Sequence, residues 1–146
     1  MEQMARLDAT FVGDADHGSI IEGRIAEHDN EDHLTVIEFG DNRLMIGQQA
    51  LPLGQSVRVY IPAADVSLAL IKHQHTSILN ILPARIEEIV PQGESQLLIR
   101  LLLGQGADRV PLLARITRKS GRQLALQPGL KVYAQIKSVS LMRAQG

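Results

Sequence analysis

Apolar and polar residues alternate with a period of two along most of the chain after residue 18, as they do in β-strands that bury one face. The clearest stretches are residues 34–39, 57–61 and 132–137, and residues 96–103 form a long, mostly apolar strand. Turn-forming residues separate the stretches, at positions 29–32, 40–42, 52–55, 91–93 and 128–129. Short strands joined by tight turns are typical of a small barrel or sandwich, so the pattern predicts an all-β fold.

The pattern is repeated in the two halves of the chain. Residues 54–61 (GQSVRVYI) and 129–136 (GLKVYAQI) each place a glycine before an alternating strand that ends in isoleucine. The extra residues of the second half lie at 117–126, where Thr117 is a good helix N-cap and Leu124 and Leu126 can pack back on the barrel. The sequence therefore predicts two pseudo-repeated OB-like units, of which only the second has a short helix.

The predicted units are residues 19–71 and 72–146, and residues 1–18 form a linker with a short helix. Each unit alone would have a thin core. We therefore expect strands to be shared between units or between subunits.

Composition excludes several classes of function. The chain has 146 residues and no cysteine, so disulfides, thiolate metal sites and cysteine nucleophiles are ruled out. His73 and His75 could share one face of a strand, but no third ligand lies nearby in the sequence, and no metal site is predicted. We find no phosphate-binding glycine motif and no catalytic constellation, so we predict that the chain is not an enzyme. No apolar run is long enough to span a bilayer, and the expected compartment is the cytoplasm.

Charge is divided unequally between the halves. Residues 1–70 contain 4 Lys/Arg and 12 Asp/Glu, a net charge of −8, and residues 71–146 contain 11 and 4, a net charge of +7. The halves should attract each other, and the basic half could attract an anion. The basic residues are spread out and aromatic residues make up only 3% of the chain, which argues against binding of nucleic acid.

Small hydrogen-bonding residues stand at two places where an oxyanion could bind. Thr76, Ser77 and Asn80 precede the first strand of the second unit, and a helical turn over residues 76–81 would point their backbone N–H groups in one direction. Lys137 and Ser138 follow the last alternating strand, and an ammonium group beside a hydroxyl suits a dianion. The simpler interpretations are an N-cap at Thr76 and Ser77 and a solvated surface at Lys137 and Ser138.

Three stretches of sequence carry a resemblance to a known family: residues 61–70 (IPAADVSLAL), 75–82 (HTSILNIL) and 133–140 (YAQIKSVS). With them, residues 55–145 resemble the C-terminal region of the ATP-binding subunit of bacterial molybdate ABC transporters. Residues 72–142 resemble its Mop (TOBE) domain. The resemblance implies an OB-like barrel, often paired by strand exchange, that binds molybdate or tungstate at subunit interfaces.

The resemblance also assigns residues and partners. It implies that Ser77, Asn80, Thr117, Lys137 and Ser138 are oxyanion ligands, with Thr76 beside them. It further implies a homodimer, attached to the ATPase domain of the parent subunit and, through it, to the transporter's membrane subunit at the cytoplasmic face of the inner membrane. The nucleotide motifs of the ATPase are absent, so the chain resembles the isolated regulatory domain.

Leu79 departs from the family, which usually has an arginine at this position. The loss of a charge-assisted donor to a dianion costs about 1.5–3 kcal/mol, or about ten- to hundredfold in affinity. Three hypotheses follow: an oxyanion-sensing and dimerising regulatory domain, a ligand-free structural dimerisation module, and a free-standing intracellular molybdate-binding protein.

Overall fold

The computed structural model describes residues 17–104 and 109–142. This part of the chain is almost entirely β, with one 3-10 turn (Ala63–Asp65) and one short helix, α1 (Arg118–Gln123). None of its helices has the length and apolar character needed to cross a membrane. The strands are β1 (Gly18–Asp29), β2 (Leu34–Phe39), β3 (Asn42–Gly47), β4 (Ser56–Pro62), β5 (Val66–Ala69), β6 (Asn80–Gln92), β7 (Gln96–Leu103), β8 (Val110–Thr117), β9 (Lys131–Ile136) and β10 (Ser140–Met142). The predicted linker at residues 1–18 lies almost wholly outside the described residues.

The strands form two five-stranded antiparallel sheets with the orders β10-β4-β1-β2-β3 and β5-β9-β6-β7-β8. In the first sheet the long strand β1 pairs with β2 on one side and with β4 on the other. In the second sheet the long strand β6 pairs in the same way with β7 and β9. The fifth strand of each repeat crosses over, so that β5 pairs with β9 and β10 pairs with β4. The expected sharing of strands is therefore confirmed, and it occurs within the chain. The predicted division after residue 71 falls in the connection between β5 and β6.

The repeat extends to details of the backbone. The β1–β2 pairing shifts register after Ile25, and the β6–β7 pairing shifts register after Ile86. The peptide N–H of Gly54 donates to the Ile25 carbonyl at 2.8 Å, and that of Gly129 donates to the Ile86 carbonyl at 2.7 Å. Both glycines have positive φ angles, 86° and 90°, which other residues rarely adopt. The predicted all-β tandem of OB-like units is confirmed in these equivalent positions.

A large, mostly aliphatic core cluster joins the two sheets. It includes Ile37, Leu44 and Ile61 from the first sheet and Ile99 and Leu101 from the second, all completely buried. Because neither sheet could bury enough apolar surface alone, the shared core and the exchanged strands hold the two units together.

The helix prediction near residue 117 is confirmed, whereas the helical turn considered over residues 76–81 does not form. The Thr117 hydroxyl accepts from the Ser120 peptide N–H at 3.0 Å and caps α1. Residues 76–79 contain no helical turn, and Asn80 already begins β6. The Thr76 hydroxyl instead accepts from the Ile78 N–H at 3.2 Å, a local bond that competes with a helix.

Candidate functional site

A pocket of about 350 Å³ opens where β3 of the first sheet meets the start of β6 and the segment that follows β9. It contains three of the six predicted site residues, Asn80, Lys137 and Ser138. The β6–β9 pairing explains their proximity, because Asn80 lies opposite Ile136, the residue before Lys137. The lining residues are Leu34, Met45, Ile46, Gly47, Asn80, Lys137, Ser138 and Val139.

The Asn80 side chain is bound to the backbone of β3. Its Oδ1 accepts from the Met45 N–H at 2.8 Å, and its Nδ2 donates to the Met45 carbonyl at 2.9 Å. β3 is an edge strand of the first sheet, so these peptide groups would otherwise face solvent. Asn80 therefore fixes the start of β6 to the edge of β3.

Lys137 and Ser138 form the opposite wall of the pocket. The Lys137 N–H donates to the Asp65 carbonyl at 2.9 Å, which fixes its backbone to the 3-10 turn of the first unit. Its side chain is exposed, and Ser138 is half-buried. Of the eight described residues that line the pocket, Lys137 is the one that carries a charge, so the lining is positively charged.

The other three predicted residues lie outside the lining. Thr76 and Ser77 are exposed in the connection that leads to Asn80. Thr117 pairs with Gln96 at the hairpin end of the second sheet, far along β6 and β8 from Asn80. One chain therefore does not bring Thr117 to this pocket, and the assignment of Thr76, Ser77 and Thr117 as ligands stays a prediction.

No sequence motif marks the wall formed by β3. Met45 and Gly47 carry no motif, and they reach the site through tertiary contact with Asn80. The available clue was the repeat itself. Asn80 pairs with Ile136 as Ser19 pairs with Ile61, so Asn80 and Ser19 occupy equivalent positions in the two units. Among the described residues, no group of three or more His, Asp or Glu side chains could hold a metal ion.

Comparisons with known proteins agree with this architecture. Residues 76–142 match the TOBE domain family. The chain is 44% identical over 142 residues to the molybdenum import ATP-binding protein ModC of Aromatoleum aromaticum, covering 97% of this chain and 37% of the relative. It is 40% identical over 141 residues to ModC of Albidiferax ferrireducens, with the same coverage. It is 40% identical over 139 residues to ModC 1 of Azotobacter vinelandii, covering 95% of this chain and 38% of the relative.

A solved structure shares the fold. The cytoplasmic molybdate-binding protein ModG, crystallised with molybdate bound, superimposes with a TM-score of 0.65 and 20% identity. The match covers 85% of this chain and 93% of ModG. The likeness confirms the tandem OB-like architecture.

Fold and topology thus define a tandem OB-like domain, and residues 76–142 match the model of the TOBE domain family. Nearly the whole chain is related to the molybdenum import ATP-binding proteins, which confirms the resemblance seen in the sequence. The chain spans less than two fifths of the length of these relatives. The matched part is the TOBE domain and not the ATPase domain, so the prediction that this chain is not itself the enzyme is confirmed.

Proposed function

We propose that this chain is a regulatory domain that senses an oxyanion, molybdate or tungstate, and dimerises within the ATP-binding subunit of a molybdate importer. The observation that carries the proposal is the pocket in which Lys137, Ser138 and Asn80 meet between the two units. Relatives named as molybdenum import ATP-binding proteins support the choice of oxyanion.

The chemistry of the pocket suits a tetrahedral dianion. The Lys137 ammonium provides a charge-assisted hydrogen bond, and the Ser138 hydroxyl provides a neutral donor. None of the described lining residues is acidic, so no carboxylate of the lining faces the ligand. Lys137 is exposed, so its charge is available without the cost of burying it.

Dimerisation is supported by apolar side chains close to the pocket in the chain. Leu70, Ile71 and Leu79 are 45%, 65% and 61% exposed in the connection between β5 and β6. A second copy that covered this connection would remove them from water, bring its own residues to the pocket and complete the site. We propose this homodimer as the sensing unit.

The same proposal extends to the parent subunit. The domain would be joined to an ATPase domain and, through it, would act on the transporter's membrane subunit at the cytoplasmic face of the inner membrane. An oxyanion that binds one arrangement of the dimer better than another would shift the attached ATPase domains toward that arrangement.

Calorimetric titration of the folded chain with tungstate tests the ligand. Binding should be measurable, and Lys137→Ala should weaken it about ten- to hundredfold because the charged donor is lost. Lys131→Ala is the matched control, since Lys131 is exposed at the start of β9, the strand that ends just before Lys137, and lies outside the pocket. Ser77→Ala tests whether the exposed connection contributes a ligand. A folded protein that gives no heat with millimolar tungstate would contradict the proposal.

One observation favours a ligand-free dimerisation module as the second candidate. Leu79 stands where the family has an arginine, and an exposed leucine suits a protein contact better than an anion site. Sedimentation of Leu79→Ser and Ile71→Ser, measured with and without tungstate, separates the two functions. A dimer that these changes weaken, and that is indifferent to tungstate, supports the second candidate.

A further inference from the structure

Every second residue of β3 points its peptide N–H and C=O groups away from β2, toward the side on which the pocket lies. The Gln48 N–H donates to the His33 carbonyl at 3.0 Å, so this pair continues the hydrogen-bonded rungs of the β2–β3 ladder. In an antiparallel pair such rungs alternate with residues whose N–H and C=O point away from the partner strand. Gly47 and Met45 are therefore outward-facing, and the two bonds from Asn80 to Met45 agree with this register.

Gly47 is the next outward-facing residue after Met45, and it lines the pocket together with Lys137. Asn80 binds the peptide groups of Met45 with both the oxygen and the nitrogen of its carboxamide. Gly47 lies two residues further along the same edge. A Cβ atom built on Gly47 meets no atom within 4 Å, so the space beside it is open.

We propose that the peptide N–H of Gly47 is a donor to the oxyanion in this pocket, and that Asn80 is a positioning residue that fixes this donor and is not itself a ligand. The inference rests on the proposed oxyanion-binding function and names two roles within that site. It gives the first unit a direct part in binding, because β3 belongs to the first sheet.

The surrounding contacts hold such a donor in place before the ligand arrives. On one side the ladder fixes β3 to β2, and on the other Asn80 fixes it to the start of β6. The facing wall is held by the bond from the Lys137 N–H to the Asp65 carbonyl. A backbone N–H in a rigid strand loses little freedom when it donates, and it brings no buried charge.

Gly47→Pro removes this N–H and breaks no rung of the ladder, since the group points away from β2. Gly47→Ala is the matched control, because it keeps the N–H and places its methyl group in open space. In calorimetric titrations with tungstate, Gly47→Pro should weaken binding at least about tenfold, and Gly47→Ala should bind as the unchanged protein does. Circular dichroism and urea unfolding show whether each variant is folded.

Amide spectra of the unchanged protein test the assignment without any substitution. The ¹H–¹⁵N signal of Gly47 should shift with tungstate and saturate together with the calorimetric curve. If tungstate binds, but Gly47 does not shift and Gly47→Pro binds like Gly47→Ala, the assignment is overturned while the proposed function stands. If the unchanged protein does not bind tungstate, both fail.

Hydrogen exchange tests the role of Asn80 in the absence of any anion. Asn80→Ala should speed exchange of the Met45 amide at least about tenfold, since its acceptor is lost. It should also weaken tungstate binding, and Asn80→Ser, which keeps an acceptor, should restore part of both. Unchanged protection of Met45 in Asn80→Ala would overturn the positioning role.

Discussion

Two corners of the molecule are built from equivalent strands but differ in character. At one, Asn80 at the start of β6 binds the edge of β3 through Met45. At the other, Ser19 at the start of β1 binds the edge of β8, where its hydroxyl accepts from the Leu113 N–H at 2.9 Å. Each repeat thus uses the first residues of its long strand to fix the edge strand of the other repeat.

The two corners differ in what fills the space beside this joint. Around Ser19, which is fully buried, Ala63, Leu98 and Leu113 form a small apolar cluster with exposures of 3% or less. Around Asn80 the counterpart of Leu113 is Met45, which is 41% exposed, and the pocket lies open. The packed corner has the 3-10 turn with Ala63 after β4, and the open corner has Lys137 and Ser138 after β9.

The two corners show which features belong to the fold and which belong to ligand binding. Because the side-chain joint is present at both corners, it is a structural device of the repeat and needs no ligand to explain it. At the Asn80 corner an exposed ammonium, the Ser138 hydroxyl and open space meet in one pocket. At the other corner the Ser19 hydroxyl is buried and accepts from Leu113, and Arg100, opposite Leu113, is paired with Glu87. The three features of the Asn80 corner support the oxyanion proposal, and the joint repeated at both corners explains why Asn80 serves as a positioning residue.

The largest expected difference between the corners is in packing. Leu113→Ala should lower the free energy of unfolding by about 2–5 kcal/mol, because it leaves a cavity among completely buried side chains. Met45→Ala, at the equivalent place, should cost less than about 1 kcal/mol because Met45 is already partly in water. Urea denaturation measures both, and equal losses would show that the corners are equally packed.

The second difference concerns the joints themselves. Ser19→Ala should cost about 1–3 kcal/mol, since it leaves the buried Leu113 N–H without its acceptor. Asn80→Ala should cost about 0.5–1.5 kcal/mol, because water can reach the Met45 peptide groups. The control is Ser67→Ala, which removes an exposed hydroxyl bonded to Gln135 and should cost less than about 0.5 kcal/mol. A larger loss for Asn80→Ala than for Ser19→Ala would reverse the assignment of open and packed corners.

Local patterns in the sequence predict the strands, the repeat and the capped helix, because alternation, turn glycines and the Thr117 hydroxyl act over a few residues. Partners of the short strands are not predictable in this way. β10 has only three residues, and the pairing of β5 with β9 is decided by the shared core. The expected attraction between the halves also stays a prediction, since the ion pairs Arg43–Glu27, Arg58–Glu22 and Arg100–Glu87 each join strands of one sheet.

The site was also partly predictable from local sequence patterns. Asn80 begins β6, and Lys137 and Ser138 follow its partner β9, so motif and register together place them side by side. Met45 and Gly47 contribute backbone groups, and a backbone donor cannot be recognised from the type of side chain. The N-cap pattern at Thr76 starts no helical turn, because its hydroxyl accepts from the Ile78 N–H in a local bond.

The smallest effect concerns the missing arginine at the open corner. Leu79→Arg should tighten tungstate binding about tenfold, because a guanidinium next to Asn80 adds a charge-assisted donor to the positively charged lining of the pocket. Ile71→Arg is the control, since Ile71 is equally exposed in the same connection but far from Asn80 in the chain. Calorimetry at two salt concentrations separates a specific donor from general attraction, which salt screens. Equal tightening by both variants would mean that position 79 is part of a charged surface and not of the site, and the open corner would then differ from the packed one only by Lys137 and Ser138.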